Sequence, residues 1–268
     1  MKIVKKSNQI NTFCNNNYKK IGFVPTLGSL HAGHLSLIKK AKKQNKICIV
    51  SIFLNPKQFN NKKDLKTYPL DIEKDKIVCR KNGVDLLFIP NFKEVYNWKN
   101  KKTKFPKIKN IMEQKFRKGH FLGVLNVMEK LLNIIKCSKL YLGEKDFQQL
   151  KIIKDYIKLN KLKIKLINCK TIREKNMLAY SSRNKLLTKK NKEIGGKMVN
   201  FIIKLKKKER NFIEFKKKLL NEFKNKKIYY EYIENFNIFN FEKSNKINKK
   251  NKIFVSFYLG KIRLIDNF

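Results

Sequence analysis

Short apolar runs alternate with amphipathic segments along residues 1–169 of the chain. Residues 21–24 are apolar and end at Pro25 and Gly28, which is typical of a buried strand that runs into a turn. Apolar residues between positions 35 and 41 then recur at helical spacing, and residues 47–53 form a second apolar, β-branched run. Strand, turn, helix and strand within about 30 residues make a βαβ unit, which builds parallel sheets. We therefore predict a parallel sheet whose ligands bind beyond the strand ends.

The same alternation predicts the remaining elements up to residue 169. Further strands are predicted at 85–89, 139–142 and 162–169, and further helices at 71–81, 121–135 and 147–159. Residues 1–20 read as a short helix or an irregular lead-in, 57–70 as a loop, and 91–114 as a flexible excursion or lid. Strands that alternate with helices in this way indicate the α/β class, with a Rossmann-like, doubly wound parallel sheet.

The pattern changes after about residue 175. Residues 188–208 and 211–224 are charged and amphipathic at helical spacing, whereas 228–238 and 253–259 alternate or run apolar like antiparallel strands. A turn rich in Lys and Asn, at 242–252, separates these two strands. We therefore predict a larger domain at 1–175 and a smaller C-terminal α+β domain at 176–268.

The formal net charge is +45, which invites a nucleic-acid hypothesis. Nearly all of this charge comes from Lys and only six residues are Arg, although bidentate phosphate recognition favours Arg. Asn and Ile are over-used as well, so we interpret the composition as a coding bias toward A/T-rich codons that fills solvated positions with Lys and Asn. We expect no specific nucleic-acid partner, and only weak binding at low salt.

No apolar run approaches the roughly 20 residues of a membrane span, and the amino-terminal residues lack the apolar core of a signal peptide. The sequence therefore predicts a cytoplasmic protein without a membrane partner. The five cysteines include no Cys-x-x-Cys pair, which favours reduced, buried thiols over a disulfide framework or a zinc site.

Histidine is rare enough in this chain to be informative, since only three are present. His31 and His34 flank Gly33 at the start of a predicted helix, so their imidazoles face the same side near the positive helix end. Such a pair can donate to a phosphate whose charge grows in a transition state. A bare His-x-Gly-His motif fits a capping or core role equally well. A zinc site is less favoured because no third ligand stands at a motif spacing.

Six sequence blocks together resemble the pantothenate synthetase (pantoate–β-alanine ligase) family of the His-x-Gly-His nucleotidyl-transferring superfamily. The blocks are PTLGSLHAGH at 25–34, SIFLNPKQF at 51–59, GHFLGV at 119–124, LGEKDFQQ at 142–149, SSRN at 181–184, and YLG with RLIDN within 258–267. Their order and their span over nearly the whole chain make the resemblance specific, although each block alone is weak.

The resemblance implies an enzyme with two half-reactions in one site. Pantoate attacks the α-phosphorus of ATP and releases pyrophosphate, and β-alanine then displaces AMP from pantoyl adenylate to give pantothenate. It also implies Mg²⁺, a homodimer, a catalytic first domain that binds ATP and pantoate, and a second domain that acts as a lid or clamp. It leaves the metal ligands unknown.

The residues that match the family's site fall into three groups. The catalytic positions are His34, His31, Lys145 and Arg183. The ATP-binding positions are Leu27, Gly28, Ser29, Leu30, His31, Ala32, Gly33, His34, Gly143, Glu144, Lys145, Asp146, Ile172, Tyr180, Ser181, Ser182 and Arg183. The positions for pantoate and β-alanine are Gln58, Gln149, Thr26, Asn55, Arg117 and His120.

Two other classes stay open: an adenylyl-transferring enzyme with a different acceptor, and a basic descendant of the enzyme that binds nucleic acid or is otherwise non-catalytic. Acidic residues at 71, 73 and 75 suggest a Mg²⁺ cluster, but a solvated first helical turn is the interpretation we prefer. The chain departs from the family pattern in having Leu27 for Met, Leu70 for Arg, and Asn176-Met177 for Asp-Gly.

Overall fold

The computed structural model describes residues 1–99 and 103–268 of the chain. The chain divides into two compact units, Met1–Lys170 and Thr171–Phe268. The boundary predicted from the sequence lies a few residues further along, and the roles predicted for the two domains stay predictions. Within its described part the chain has no helix of the length and apolarity needed to cross a bilayer.

The larger unit is built on a parallel sheet. Its strands within the described residues are β1 (Lys2–Val4), β2 (Ile21–Thr26), β3 (Ile47–Ile52), β4 (Leu86–Phe88), β5 (Lys139–Gly143) and β6 (Lys165–Cys169). They pair in the order β1-β4-β3-β2-β5-β6, and every pair is parallel. The chain passes from β2 to β3 on one side, whereas β5 pairs with β2 on the other, so the strand order reverses at β2. This topology confirms the Rossmann-like, doubly wound prediction.

Helices cover both faces of the sheet. They are α1 (Ser7–Asn17), α2 (Ala32–Gln44), α3 (Lys62–Lys66), α4 (Ile72–Lys81), α5 (Phe92–Tyr96), α6 (Glu113–Phe116), α7 (His120–Ile134) and α8 (Phe147–Leu159). In β3, Ile49 joins the apolar cluster of α1, α7 and α8, whereas Val50 joins the cluster of α2 and α4. Successive side chains of a strand point to opposite faces, so burial on both faces explains the near-continuous apolar runs of these strands.

The smaller unit is an antiparallel sheet with helices packed on it, which confirms the predicted α+β class. Its strands β7 (Tyr230–Asn237), β8 (Asn251–Leu259) and β9 (Ile262–Asn267) pair in chain order. Its helices are α9 (Lys189–Lys208) and α10 (Phe212–Asn225). Thr188 and Asn211 cap these helices by accepting backbone N–H groups, as Thr and Asn commonly do. Apolar side chains of both helices and all three strands share one core cluster.

Five elements were missed by the sequence prediction. Strand β1 lies within the predicted lead-in 1–20, α3 within the predicted loop 57–70, α5 and α6 within the predicted excursion 91–114, and β9 beyond residue 259. The first four are too short to show a periodicity, and β1, α5 and α6 are held by contacts with β4 and α7. In α5, Val95 is fully buried and the Glu94 carboxylate accepts the Ser7 N–H at 2.8 Å. Residues 100–102 of the predicted lid lie outside the described residues.

The cysteines confirm the prediction of buried, reduced thiols. All five are buried and free. Burial raises the pKa of Cys14, Cys48 and Cys79 to about 12. A thiol held protonated in this way is a poor nucleophile and a poor metal ligand, so these side chains act as small apolar residues.

Candidate active site

The carboxyl ends of three neighbouring strands meet at one edge of the large sheet. Thr26 ends β2, Asn55 follows β3, and Gly143 ends β5, while β2 pairs with both of the others in parallel. Because the strand order reverses at β2, this edge is where an open α/β sheet forms its ligand crevice. The predicted site residues of the larger unit therefore share one edge of the sheet.

A tight turn connects β2 to α2 at this edge. The Thr26 hydroxyl donates to the Ser51 carbonyl oxygen at 2.8 Å and accepts the Gly28 N–H at 3.1 Å. Gly28 has φ +87° and Ser29 has φ +54°, so both residues adopt left-handed backbone conformations. Only Gly does so without cost, and a Cβ at Gly28 would lie 2.3 Å from Leu70 Cδ1. Gly28 of the block at 25–34 is therefore required both by its backbone conformation and by the lack of space for a side chain.

The carboxylate of Asp75 holds this turn from the first half of α4. It accepts the Ser29 N–H and the Leu30 N–H, each at 2.7 Å, and its residue is only 2% exposed. Our preference for a solvated acidic turn is therefore wrong for Asp75, although Asp71 and Glu73 are exposed. A signal was present in the sequence, because Asp75 lies one turn before Cys79 on the buried face of the helix. A carboxylate on such a face needs hydrogen-bond partners to be tolerated.

The two histidines stack against each other at the start of α2. Their ring centroids are 4.0 Å apart with 30° between the planes. His31 is the N-cap residue, and its Nδ1 accepts the Gly33 N–H at 3.1 Å. That bond leaves the proton of a neutral His31 on Nε2, where it can be donated to a ligand. Both rings are half-buried beside the positive end of a helix, which suits a site for phosphate.

A second turn, Asn55 to Gln58, follows β3 and is held by α7. The Asn55 amide donates to the Gln58 Oε1 at 3.2 Å and to the Gly123 carbonyl oxygen at 3.1 Å. A Cβ on Gly123 would lie 2.2 Å from the Lys57 carbonyl oxygen, so α7 approaches the turn backbone more closely than any other residue would allow. The Tyr96 hydroxyl completes the turn by donating to Asn55 Oδ1 at 2.9 Å.

His120 supports the same turn in its neutral form. Its Nδ1 donates to the Gln58 carbonyl oxygen at 2.7 Å, and its Nε2 lies 3.2 Å from Arg117 Nη1. Burial, followed by the nearby Arg117 charge, lowers the pKa of His120 from 6.5 to about 4. At neutral pH the ring is therefore uncharged and accepts from the guanidinium. Thr26, Asn55, Arg117 and His120 lie at the predicted site, and their roles toward a substrate stay predictions.

The third part of the edge is the segment that follows β5. Lys145 Nζ lies 3.3 Å from Asp146 Oδ1 in a 3-10 turn, and α8 starts directly afterwards. Gln149 is half-buried in the first turn of α8. Its neighbour Gln148, which the sequence analysis did not single out, is buried and binds the Ile111 carbonyl oxygen and the Glu113 N–H. Gln148 therefore fixes the chain before α6.

The remaining predicted residues belong to the smaller unit. Ile172 and Tyr180 pair across a hairpin, because the Tyr180 N–H donates to the Ile172 carbonyl oxygen at 3.0 Å. Ser181 caps the next 3-10 turn, Ser182–Leu186, by accepting the Arg183 N–H at 3.3 Å. Ser182 is buried, whereas Ser181 and Arg183 are half-buried.

Comparison with known proteins assigns the family. The family model for pantoate-beta-alanine ligase matches residues 2–268. The chain belongs to the pantoate-beta-alanine ligase family. It is 44% identical over 252 residues to a pantothenate synthetase of Francisella tularensis subsp. mediasiatica, which covers 93% of this chain and 89% of that relative.

Solved structures of pantoate-beta-alanine ligases share the fold over the whole chain. Pantothenate synthetase from Thermus thermophilus superposes with a TM-score of 0.92 at 26% identity, covering 100% of this chain and 99% of that one. The ligase from Francisella tularensis, solved with beta-gamma ATP and beta-alanine, gives a TM-score of 0.85 at 42% identity and covers 100% and 97% of the two chains.

Two departures from the ligase family pattern have a visible structural setting. Leu70 packs its Cδ1 toward Gly28 and joins the apolar cluster of α2 and α4, so an apolar contact stands where the family has an Arg. Met177 adopts φ +76° in the place of the family's Gly, which is a strained conformation for a residue with a side chain. Neither substitution alters a residue to which we assign chemistry.

The part of the chain that the structure describes does not gather metal ligands into a cage. The described residues of this ligase contain no group of three or more His, Cys, Asp or Glu side chains that could hold a metal ion. Mg²⁺ is commonly held by one or two carboxylates together with substrate phosphates and water. The described side chains therefore offer no preformed cage of metal ligands.

Proposed function

We propose that this chain condenses pantoate with β-alanine through a pantoyl-adenylate intermediate and releases pyrophosphate and AMP. The stacked His31–His34 pair carries this proposal, because it lies at a helix N-terminus after β2, and the Asn55 to Gln58 turn follows β3, the strand that pairs with β2 in parallel. Membership of the family supports the same reaction, and so does the relative that was solved with ATP and β-alanine.

The first half-reaction needs alignment and charge neutralisation. A pantoate carboxylate oxygen bonds to the α-phosphorus of ATP while the bond from that phosphorus to pyrophosphate breaks. In-line transfer of this kind needs no protein nucleophile. His31 Nε2–H and the His34 ring donate to the phosphate oxygens, and Lys145 balances their charge. The family resemblance assigns Arg183 to phosphate binding as well. Mg²⁺ that arrives with ATP would neutralise further phosphate charge.

The β-alanine amine of the second half-reaction, like the pantoate carboxylate of the first, must be bound in a way that leaves it nucleophilic. The neutral β-alanine amine attacks the carbonyl carbon of the adenylate, the bond from that carbon to the AMP oxygen breaks, and the nitrogen loses one proton to solvent. Gln58 and Gln149 are neutral amides, so they can bind hydroxyl and carboxylate groups without protonating them. The Gln58 backbone is anchored by His120, which supports its assignment to pantoate and β-alanine. Gln149 is assigned to pantoate.

The decisive experiment measures AMP formation by the purified protein with ATP and Mg²⁺. We expect AMP only when pantoate and β-alanine are both present, and pantothenate in equal amount. AMP formed with another acid or amine, and not with these two, would establish the alternative of a related adenylyl-transferring enzyme. No turnover with any of them, while the protein is folded, would establish a non-catalytic descendant.

A pair of variants on α2 tests the assigned chemistry. His34→Ala should lower turnover by about 10²- to 10⁴-fold, the range for loss of a proton donor or of a donor to developing charge. Lys43→Ala removes an exposed side chain from the last turn of the same helix and should retain full turnover. Both should melt near the wild-type temperature. Near-normal turnover of His34→Ala would remove His34 from the mechanism.

The cellular setting also remains a proposal. By resemblance to the family we propose a homodimer in the cytoplasm, with no specific nucleic-acid partner. Sedimentation at several concentrations would give the assembly, and a salt titration with RNA would test the partner, since non-specific binding weakens steeply with salt.

A further inference from the structure

The 172–180 hairpin of the smaller unit leads directly into the turn that carries Ser181, Ser182 and Arg183. Its strands are joined by the bond from the Tyr180 N–H to Ile172 and by a bond from the Glu174 N–H to the Leu178 carbonyl oxygen at 2.7 Å. The direction of the hairpin therefore sets where the backbone of the three residues lies.

One side of the hairpin is tied to the last strand of the unit by an ion pair. Arg173 Nη1 lies 2.6 Å from Asp266 Oδ2, and Arg173 Nη2 lies 3.0 Å from Asp266 Oδ1. The same Nη1 donates to the Met177 carbonyl oxygen at 3.1 Å, and the guanidinium carbon lies 5.0 Å from the Phe268 ring centroid. The Asp266 side chain is 4% exposed. A bidentate pair this enclosed fixes an orientation as well as a distance.

The far end of the turn is tied back to the hairpin. The Asn184 amide donates to Glu174 Oε1 at 2.6 Å and to the Ala179 carbonyl oxygen at 3.0 Å, and Asn184 is 4% exposed. The 3-10 turn Ser182–Leu186 also packs against β9, the strand that bears Asp266. Ser181, Ser182 and Arg183 are thus held on both sides by bonds that their own side chains do not make.

We propose that the Arg173–Asp266 ion pair and the Glu174–Asn184 hydrogen bond are positioning elements that hold Ser181, Ser182 and Arg183 in the conformation that binds ATP. This inference rests on the proposed function, which assigns those three residues to the phosphates. A flexible guanidinium and two short hydroxyls reach phosphate oxygens together only if their backbone is fixed beforehand. In this proposal the positioning residues act through Ser181, Ser182 and Arg183.

The test compares two ion pairs of the same unit. Asp266→Asn removes the charge that orients Arg173. Glu231→Gln is the matched control, because Glu231 Oε2 lies 2.6 Å from Arg263 Nη2 in a similarly enclosed ion pair, with side-chain exposures of 11% and 19%. We expect Asp266→Asn to raise the ATP dissociation constant and the KM for ATP by about tenfold or more, as for a misplaced binding group. The KM for pantoate should stay unchanged. Amide exchange at 179–186 should accelerate, and Glu231→Gln should show neither effect.

A second pair of variants keeps the proposal testable if Asp266→Asn does not fold. Glu174→Ala removes the acceptor of the Asn184 amide and should weaken ATP binding. Glu174→Gln retains an oxygen acceptor and should bind ATP with wild-type affinity. Unchanged ATP affinity and exchange in both Asp266→Asn and Glu174→Ala would overturn the inference. So would an Arg183→Ala variant that binds ATP normally. The ATP dissociation constant from calorimetry needs no turnover, so it decides the inference even if the protein makes no pantothenate and the proposed function fails.

Discussion

Replacing Asp75 with Asn removes one charge beneath the turn that carries the two histidines and leaves the side-chain volume unchanged. The native carboxylate accepts two 2.7 Å bonds, from the Ser29 and Leu30 N–H groups. An amide oxygen can keep one of them, but its NH₂ group then faces the other N–H. Losing a buried bond to a charged acceptor and leaving a donor unpaired costs about 3 kcal/mol. Since domains are commonly stable by about 5–15 kcal/mol, the variant should still fold.

The larger effect should be on turnover. Gly28 and Ser29 hold left-handed conformations with φ of +87° and +54°. Without the carboxylate, the turn can relax toward ordinary backbone conformations and carry the His31 N-cap with it. A misplacement of about 1 Å at a reacting centre can cost about 100-fold in rate. We therefore expect the kcat for AMP release to fall by about 10- to 100-fold.

Urea denaturation and the coupled AMP assay measure both effects. Asp71→Asn is the matched control, because exposed Asp71 caps the same helix by accepting the Lys74 N–H at 3.0 Å. Asn caps helices about as well as Asp, so this control should change stability by less than about 0.5 kcal/mol and leave turnover intact. If Asp75→Asn behaved like Asp71→Asn in both measurements, the carboxylate would not be what holds the turn.

Three further substitutions test other parts of the structure. Gly123→Ala should lower the free energy of urea unfolding by about 1–3 kcal/mol, because its Cβ would meet backbone 2.2 Å away, whereas Gly143→Ala, with open space there, should be neutral. The pKa of His120 is lowered from 6.5 to about 4 in the folded protein. As the pH falls from 6.5 to 4, the unfolded chain therefore binds a proton at His120 before the folded protein does, and the free energy of unfolding falls by up to about 3 kcal/mol. His120→Asn should flatten this pH dependence in denaturation curves, and an unchanged slope would contradict it. Met177→Val should lower the melting temperature more than Met177→Gly, because a β-branched residue tolerates φ +76° least.

Much of the fold was predictable because its signals are local. The amphipathic pattern gave α8 with its observed bounds, Phe147–Leu159, and Asp71, Thr188 and Asn211 stand at helix starts where caps are expected. Strand β1 gave no such signal, since only Val4 of its three residues is buried and its pairing with β4 is more than 80 residues away in sequence. An element that short is specified by its partner.

The candidate site divides in the same way. His31, His34 and Lys145 stand in motifs that are contiguous in sequence, so the resemblance found them directly. The supporting roles of the residues that hold these motifs were not predicted, because each residue is bonded across a long sequence separation. Asp75 binds Ser29 from 46 positions away, and Tyr96 binds Asn55 from 41. The helical spacing to Cys79 places Asp75 on a buried face, but only the structure shows which N–H groups its carboxylate binds.

Acidic residues deserve more weight than basic ones in a chain of this composition. Lys and Arg number 65 against 20 Asp and Glu, so a Lys is the expected occupant of a solvated position and an acid is not. Asp75, Glu113 and Asp266 are each 5% exposed or less, and each accepts or faces a specific donor. If the compositional bias placed Lys only at positions that tolerate substitution, then these three acids mark positions that do not tolerate it. Amide substitutions of these three should each cost more than about 1 kcal/mol, the worth of a single buried hydrogen bond, whereas exposed Lys→Gln changes should stay within about 0.5 kcal/mol. If the acid-to-amide variants and the Lys→Gln variants had equal effects in urea denaturation, the rarity of acids in this chain would not identify positions that matter for stability.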